Sequence, residues 1–272
     1  MNTVSELQRY FSRIGYEGNP SVDLTTLNQL QQLHAAAIPF ENIDVLLDRG
    51  IDISATAIVE KLIDQTRGGY CFEQNNLYMS ALREIGFDVE PLLARVTWML
   101  PENAPAGPRT HMVLRVNLNG AYYLTDVGFG GLVITNPLQF SSAEAQSTDH
   151  ELFRLIRHQY GYRVEVLLDD TWRPAYDILD APQEPIDFEV ANWFTSRHPD
   201  SKFRHNLMMA RVTHDTRYAL FNNRFTIREK DKQPVQRMLN TDELAQVVAD
   251  YFMLSVQPNW LPMFERLVNK SL

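Results

Sequence analysis

The sequence predicts an α+β chain with a helical beginning, an antiparallel sheet or small barrel in the middle, and a mixed α/β end. Three observations carry this. Apolar residues recur at helical spacing through the first 86 residues, then alternate from Phe87 to about Ile178. An Asn119-Gly120 pair, the strongest short signal for a two-residue hairpin turn, interrupts the alternating part. Beyond Pro182 and Pro185, which mark a connector, strand-like runs and a helical stripe follow one another. The expected units are 1–86, 87–185 and 186–272.

The elements follow in order. Thr3 and Glu6 match a capping box, ahead of Leu7, Tyr10, Phe11 and Ile14 on one helix face. Leu27, Leu30, Leu33 and Ala37 form a second stripe, ended by Pro39. Ser54 can cap a third helix carrying Ile58, Val59, Leu62 and Ile63. A fourth carries Leu77, Ala81, Leu82 and Ile85 and stops at Gly86. Strands are expected at Val89–Leu100, across residues 110–118 and 121–129, at Leu152–Ile156 and at Tyr162–Leu168. Leu168-Asp169-Asp170-Thr171-Trp172 reads as another turn. In the last part a polar segment runs from Trp193 to Arg204. Strands are expected near Met208–Val212, Tyr218–Phe221 and Phe225–Arg228, then a helix capped by Thr241 with Leu244, Val247, Val248 and Tyr251.

Cys71 is the only cysteine, so no internal disulfide can form and a reducing cytoplasm is the expected setting. Gly68 and Gly69 suit a tight turn just before it, which puts Cys71 in the first turn of the fourth helix. Unpaired N–H groups and the positive end of the helix dipole favour a thiolate there. Without context, a lone cysteine reads first as an inert buried thiol. The hairpin supplies the context. A two-residue turn at 119–120 sets Leu118 opposite Ala121, Leu114 opposite Thr125 and Val113 opposite Asp126. His111 shares the face of Val113, which makes it a diagonal neighbour of Asp126, within reach of an imidazole and a carboxylate. Cysteine, histidine and an orienting carboxylate together form the arrangement used for acyl transfer.

Other function classes are disfavoured. A net charge of −9 argues against nucleic acid as the main partner, and no apolar run approaches membrane-spanning length. Glu6, Arg9 and Arg13 stand where a signal peptide needs an apolar run. The other histidines lack metal-site spacing, so no metal is expected. Val127-Gly128-Phe129-Gly130-Gly131 lacks the lysine and following helix of a phosphate loop. Its glycines suit a bend or the close approach of a ligand. Arg197, Lys202, Arg204 and Arg211, with His198 and His205 among them, form either a local basic patch or a solvated face.

Four segments carry a resemblance to a known family: Pro39-Phe40-Glu41-Asn42-Ile43, Arg67-Gly68-Gly69-Tyr70-Cys71-Phe72-Glu73-Gln74-Asn75, Thr110-His111-Met112-Val113-Leu114 and Asp126-Val127-Gly128-Phe129-Gly130. Asn192-Trp193-Phe194 and His198-Pro199-Asp200-Ser201 extend it. Through them the chain resembles the arylamine N-acetyltransferase family in its bacterial form. The resemblance implies a helical N-terminal bundle, a central antiparallel β-barrel, a C-terminal α/β lid, and a triad like that of cysteine proteases and transglutaminases. It implies Cys71 as acylated nucleophile, His111 as base and Asp126 as its orienter. Phe129 would line the acceptor pocket, and Arg67 and Glu41 would steady the cysteine turn. The implied donor substrate is acetyl-coenzyme A, with no permanent cofactor. The implied acceptors are aromatic amines, hydrazines or hydroxylamines. An acidic chain must hold the coenzyme A phosphates locally, and the candidates are the Arg197–Arg211 run and the backbone at Gly130 and Gly131. A thiol hydrolase, transglutaminase or amide synthase could use the same three residues with another acyl donor. A non-catalytic small-molecule-binding barrel is the remaining alternative.

Overall fold

In the computed structural model, which describes residues 4–101, 103–230 and 232–270, four helices start at a side-chain cap. Helix α1 (Glu6–Ile14) is capped by Ser5, whose hydroxyl accepts from the Gln8 N–H while Gln8 reaches back to the Ser5 N–H. The expected cap at Thr3 lies outside the described residues. Helix α2 (Leu24–Ala37) is capped by Asp23, and the next residues form the short helix α3 (Ile43–Leu46). Ser54 caps α4 (Ala55–Val59), which runs on into a π-turn over Glu60–Asp64. Helix α5 (Cys71–Ile85) ends at Gly86 in the left-handed region.

The middle of the chain is antiparallel throughout. Its strands are β1 (Asp88–Val96), β2 (His111–Leu118), β3 (Ala121–Thr125), β4 (Leu138–Gln139), β5 (Gln146–Ser147), β6 (Leu152–His158), β7 (Gly161–Leu168) and β8 (Thr171–Leu179). They follow the order β4-β3-β2-β1-β8-β7-β6-β5, curled into a nearly closed barrel. The seam is bridged by a side chain: the Gln146 amide accepts from the Gln139 N–H and donates to the Gln139 carbonyl. The β2–β3 register pairs Leu118 with Ala121 and Leu114 with Thr125, as the turn requires. Asp169 and Asp170 both take positive φ in the β7–β8 turn, again as expected for a two-residue hairpin. Both faces of β2 are buried. Met112, Leu114 and Val116 pack against α5 residues Phe72, Leu77 and Tyr78, whereas Val113 joins the barrel interior.

The C-terminal part differs in three places. Pro185 is the first residue of helix α6 (Pro185–Arg197) and not part of a connector, because its fixed φ suits that position. This helix has a weakly apolar stripe, and part of its buried face is polar. Asn192 donates to the Ile51 carbonyl, while Thr195 and Ser196 return their hydroxyls to α6 carbonyls. Strands β9 (Met208–Val212), β10 (Thr216–Phe221) and β11 (Arg224–Glu229) match expectation, but an edge strand β12 (Val235–Met238) follows. All four of its residues are exposed, so it carries no alternation to read. Helix α7 (Thr241–Phe252) is capped by Asn240, not Thr241: Asn240 and Glu243 exchange reciprocal hydrogen bonds. Helix α8 (Leu261–Lys270) closes the core around Trp260, Phe252 and Phe264. No helix among the described residues is long and apolar enough to cross a membrane.

One buried group makes the helical part sensitive to acid. His34 has no exposed surface and is hydrogen-bonded to the Tyr10 hydroxyl at 3.0 Å and to Gln74 Oε1 at 3.2 Å. Burial pushes its pKa down to about 3, outweighing the Gln74 hydrogen bond that raises it. An unfolded histidine titrates near about 6.5. The unfolded chain therefore takes up a proton below that pH which the folded chain refuses. This contribution to stability is complete above about pH 6.5 and is lost as pH falls, by up to about 1.4 kcal/mol per pH unit. Denaturant unfolding of the wild type between about pH 7 and about pH 4 should show this slope, and His34→Gln should lack that share of it. Parallel pH profiles for the two proteins would show that His34 ionisation does not contribute.

Candidate active site

Cys71 stands at the start of α5 because Arg67-Gly68-Gly69-Tyr70 turns sharply in front of it. A Cβ on Gly68 would lie 2.1 Å from the Pro39 carbonyl oxygen, so only glycine fits there. Glu73 accepts the Tyr70 N–H at 3.0 Å, and Gln74 donates to the Gly69 carbonyl at 2.8 Å. Beneath the turn lies a buried ion cluster. Arg67 binds Glu41 Oε1 through Nε at 3.1 Å and through a terminal nitrogen at 2.5 Å, and reaches Asp44 at 3.1 Å. Lys61 joins Glu73 at 2.7 Å and Asp44 at 2.9 Å. Burial lowers the Lys61 pKa, but the charges of Glu73, Glu41 and Asp44 outweigh that and raise it.

Strand β2 opens with His111, and Asp126 follows the last residue of β3. Their contact closes as the hairpin register anticipates, with His111 Nε2 lying 2.7 Å from Asp126 Oδ2. The second carboxylate oxygen accepts from Asn75 Nδ2 at 3.0 Å and from the Gly128 N–H at 2.8 Å. Asn75 also donates to the Met112 carbonyl and accepts the Val127 N–H. One side chain on α5 thus clasps both β2 and the loop after β3. Cys71 and Asn75 are four residues apart and share a helix face, so the clasp brings the thiol to His111.

Gly128 completes the seam. A Cβ there would lie 2.6 Å from the Cys71 Cα, so the loop backbone rests directly on the helix start. Cys71 is 5% exposed, and its thiol approaches the Thr110 carbonyl at 3.6 Å. Burial alone would depress the His111 pKa. Asp126, by charge and hydrogen bond, and Cys71 override this and lift it to about 10. Nε2 faces Asp126, which leaves Nδ1 for the thiol. This geometry can hold a thiolate beside an imidazolium.

The surrounding wall is aromatic. The Phe129 ring lies 5.0 Å from His111 and 4.8 Å from Tyr176, and Tyr176 lies 4.9 Å from His111. Burial and the Asp126 charge hold the Tyr176 pKa well above its ordinary value, so the phenol stays neutral. Gly130 takes φ +77° with the Phe40 ring packed beside it, and Gly131 faces Ala219 of β10. The expected basic run does not converge into one patch. Arg197 and Arg204 both bind Asp48, and Arg211 donates to the carbonyls of Ala36 and Tyr251. Lys202 and His205 are exposed, and His198 stacks on Phe194. The arginines of this run serve largely to join the C-terminal part to the rest.

Three contributors escape reasoning from sequence alone. Asn75 lies within the cysteine motif, but nothing local shows what its amide reaches. Asn42 binds the carbonyls of Phe203 and Asn206 and the N–H of Met208, which ties the Phe40 turn to the C-terminal part. Tyr176 enters only because β8 pairs with β1, placing it opposite Val96.

An N-acetyltransferase family model matches residues 23–261. The sequence is 44% identical over 218 residues to the arylamine N-acetyltransferase of Mycolicibacterium smegmatis, covering 79% of each chain. It is 40% identical over 225 residues to a Salmonella typhimurium protein named arylamine N-acetyltransferase / N-hydroxyarylamine O-acetyltransferase, covering 82% of this chain and 79% of that one. The fold matches that of Mycobacterium marinum arylamine N-acetyltransferase solved in complex with CoA, with a TM-score of 0.90, 33% identity, and coverage of 97% and 98%. A family model over residues 23–261 and relatives of this identity and coverage show that the chain is an enzyme of the arylamine N-acetyltransferase family.

Proposed function

We propose that this enzyme transfers acetyl from acetyl-coenzyme A to aromatic amines, hydrazines or hydroxylamines through an acetyl-cysteine thioester on Cys71. The observation that carries the reading is the 2.7 Å contact between His111 Nε2 and the buried Asp126, with the Cys71 thiol within hydrogen-bonding reach of the same imidazole. The names of the relatives supply the arylamine and N-hydroxyarylamine acceptors, and the CoA complex of the M. marinum protein supports the donor.

The Cys71 proton passes to His111 Nδ1, and Asp126 stabilises the imidazolium and sets its orientation. The thiolate attacks the thioester carbonyl of acetyl-coenzyme A. The N–H groups of Cys71 and Phe72 open α5 and have no helical acceptor, so they are available to the oxyanion. The C–S bond to coenzyme A breaks, and His111 returns a proton to the departing thiolate. The amine then attacks the acetyl-cysteine and gives a proton to His111. Cys71 leaves as the thiolate, and the ion pair is restored. An aniline is largely neutral at physiological pH, so this second attack needs no strong base. Phe129 and Tyr176 offer an aromatic acceptor ring an apolar wall. For the coenzyme A phosphates, the backbone at Gly130 and Gly131 becomes the better of the two candidates, because Arg197, Arg204 and Arg211 are internally engaged.

Incubation with acetyl-coenzyme A alone should add one acetyl group to Cys71, and Cys71→Ala should abolish both the label and the transfer. An unlabelled wild type that still acetylates amines would mean direct transfer in a ternary complex.

The raised His111 pKa dictates a pH profile. The imidazolium is held from below its unfolded value of about 6.5 and is lost only as pH rises through about 10. In the ion pair proposed here the thiolate lasts as long as its imidazolium, so the rate of Cys71 alkylation should stay level across neutral pH and the mildly alkaline range. A rise following a free thiol, near about 8.5, would rule out the ion pair.

Gly128→Ala should lower turnover by about 100-fold, because an added methyl must push the loop from Cys71 by roughly 1 Å. Near-normal turnover in a folded Gly128→Ala protein would show that the seam tolerates displacement.

A further inference from the structure

We propose that Arg217 is a positioning residue for the amine-accepting wall, acting through a buried ion pair with Glu151 and the loop that follows Asp126. The proposal deepens the acetyltransferase reading above and rests on it. Arg217 belongs to β10 in the C-terminal sheet, yet its side chain leaves that sheet for the barrel. Its side chain is 2% exposed. Its Nε binds Glu151 Oε1 at 2.9 Å, and a terminal nitrogen binds Glu151 Oε2 at 2.6 Å. The same terminal nitrogen donates to the Val133 carbonyl at 3.0 Å, and the other one approaches the Gly131 carbonyl at 3.5 Å.

Those two carbonyls lie in the loop between Asp126 and β4. Its front end is held by Asn75 and Asp126, through the N–H groups of Val127 and Gly128. Its far end is held by Gln31, which donates to the Ile134 carbonyl at 2.8 Å. Within the stretch between, the Val133 N–H donates to the Gly130 carbonyl. Arg217 supplies side-chain contacts from the C-terminal sheet at the middle of the loop. The consequence reaches the site through packing. Val133 clusters with Ala35 of α2 and Val212 of β9, and the Phe129 ring rests on that cluster. Phe129 in turn lies 5.0 Å from His111. One guanidinium thus locates the backbone beneath the ring that the acceptor must pass.

An ion pair this buried is a weak source of net stability, since apolar residues of similar volume often serve as well. Its specific capacity is geometric. A planar fork can satisfy a carboxylate and two carbonyls at set angles, which a lysine ammonium cannot reproduce.

The test uses full-length Arg217→Lys and Glu151→Gln, which retain charge or volume. Both should raise the KM for an arylamine several-fold while kcat at saturating amine changes little. Cys71 acetylation, measured without amine and at saturating acetyl-coenzyme A, should keep its wild-type rate, because the triad is held by Asn75 and Asp126 and not by Arg217. Amide hydrogen exchange should lose protection across residues 128–134 and keep it in α5. Unchanged KM and unchanged loop protection would overturn the proposal. A parallel fall of both half-reactions with thermal stability would also overturn it, leaving the pair a general structural prop. Failure of acetyl-coenzyme A to label the wild type would instead overturn the function proposed above, and exchange at 128–134 would still decide whether the ion pair holds the loop.

Discussion

Asp126 has no exposed surface, and the arrangement of the site follows from that constraint. An ionised carboxylate taken out of water loses several kcal/mol of hydration, and only charge and hydrogen bonds can compensate. The compensation comes from three parts of the chain: Asn75 on α5, the Gly128 N–H in the loop, and His111 on β2. Each donor must stand within hydrogen-bond distance, so satisfying the carboxylate also locks helix, loop and strand together. The same charge raises the His111 pKa against the effect of burial. Structural and chemical roles therefore share one group, which couples the stability of the seam to the protonation state of the base.

A second set of buried charges supports the cysteine turn from below. Glu41, Asp44 and Glu73 face Arg67 and Lys61, and Arg67 also lies over the Trp260 ring at 4.8 Å. Removing one member of such a set leaves an uncompensated charge, at a cost of about 3–5 kcal/mol. What the cluster fixes is the direction in which the chain enters α5. Glu73 illustrates the link, because one oxygen holds Lys61 while the other holds the Tyr70 N–H. The orientation of the first turn, and with it the N–H groups beside Cys71, follows from ionic geometry a few residues away.

The C-terminal part is joined to this assembly by shared apolar packing, in which Ile43 and Leu46 enter its core, and by a set of polar contacts. Phe40 and Ala210 exchange backbone hydrogen bonds, Asn42 spans residues 203–208, and Arg211 reaches back to Ala36. Such contacts are directional. They set where Phe203 packs against Phe40 and Tyr70, and where β10 meets the glycine loop. They also account for a basic run in an acidic protein that does not assemble into one patch. Several of its guanidinium groups are engaged internally, where carbonyls and Asp48 are the acceptors.

The His111–Asp126 contact is legible in the sequence, because the Asn119-Gly120 turn determines the register and register determines which side chains share a face. The placement of Cys71 at a helix start is legible for a similar reason: the glycines before it, the apolar stripe after it and the stop at Gly86 are local signals. Helix α6 and strand β12 are not, since a partly polar buried face and an exposed edge strand leave no periodic pattern. Asn75, Tyr176 and Arg217 escape because their partners lie far away in the chain. Local sequence by itself determined the turn, the register and the caps, each an interaction among residues close together along the backbone. Only the tertiary structure decided which helix face meets which loop, because burying Asp126 and Arg217 requires donors and acceptors from segments that meet only when the barrel closes and the C-terminal sheet docks.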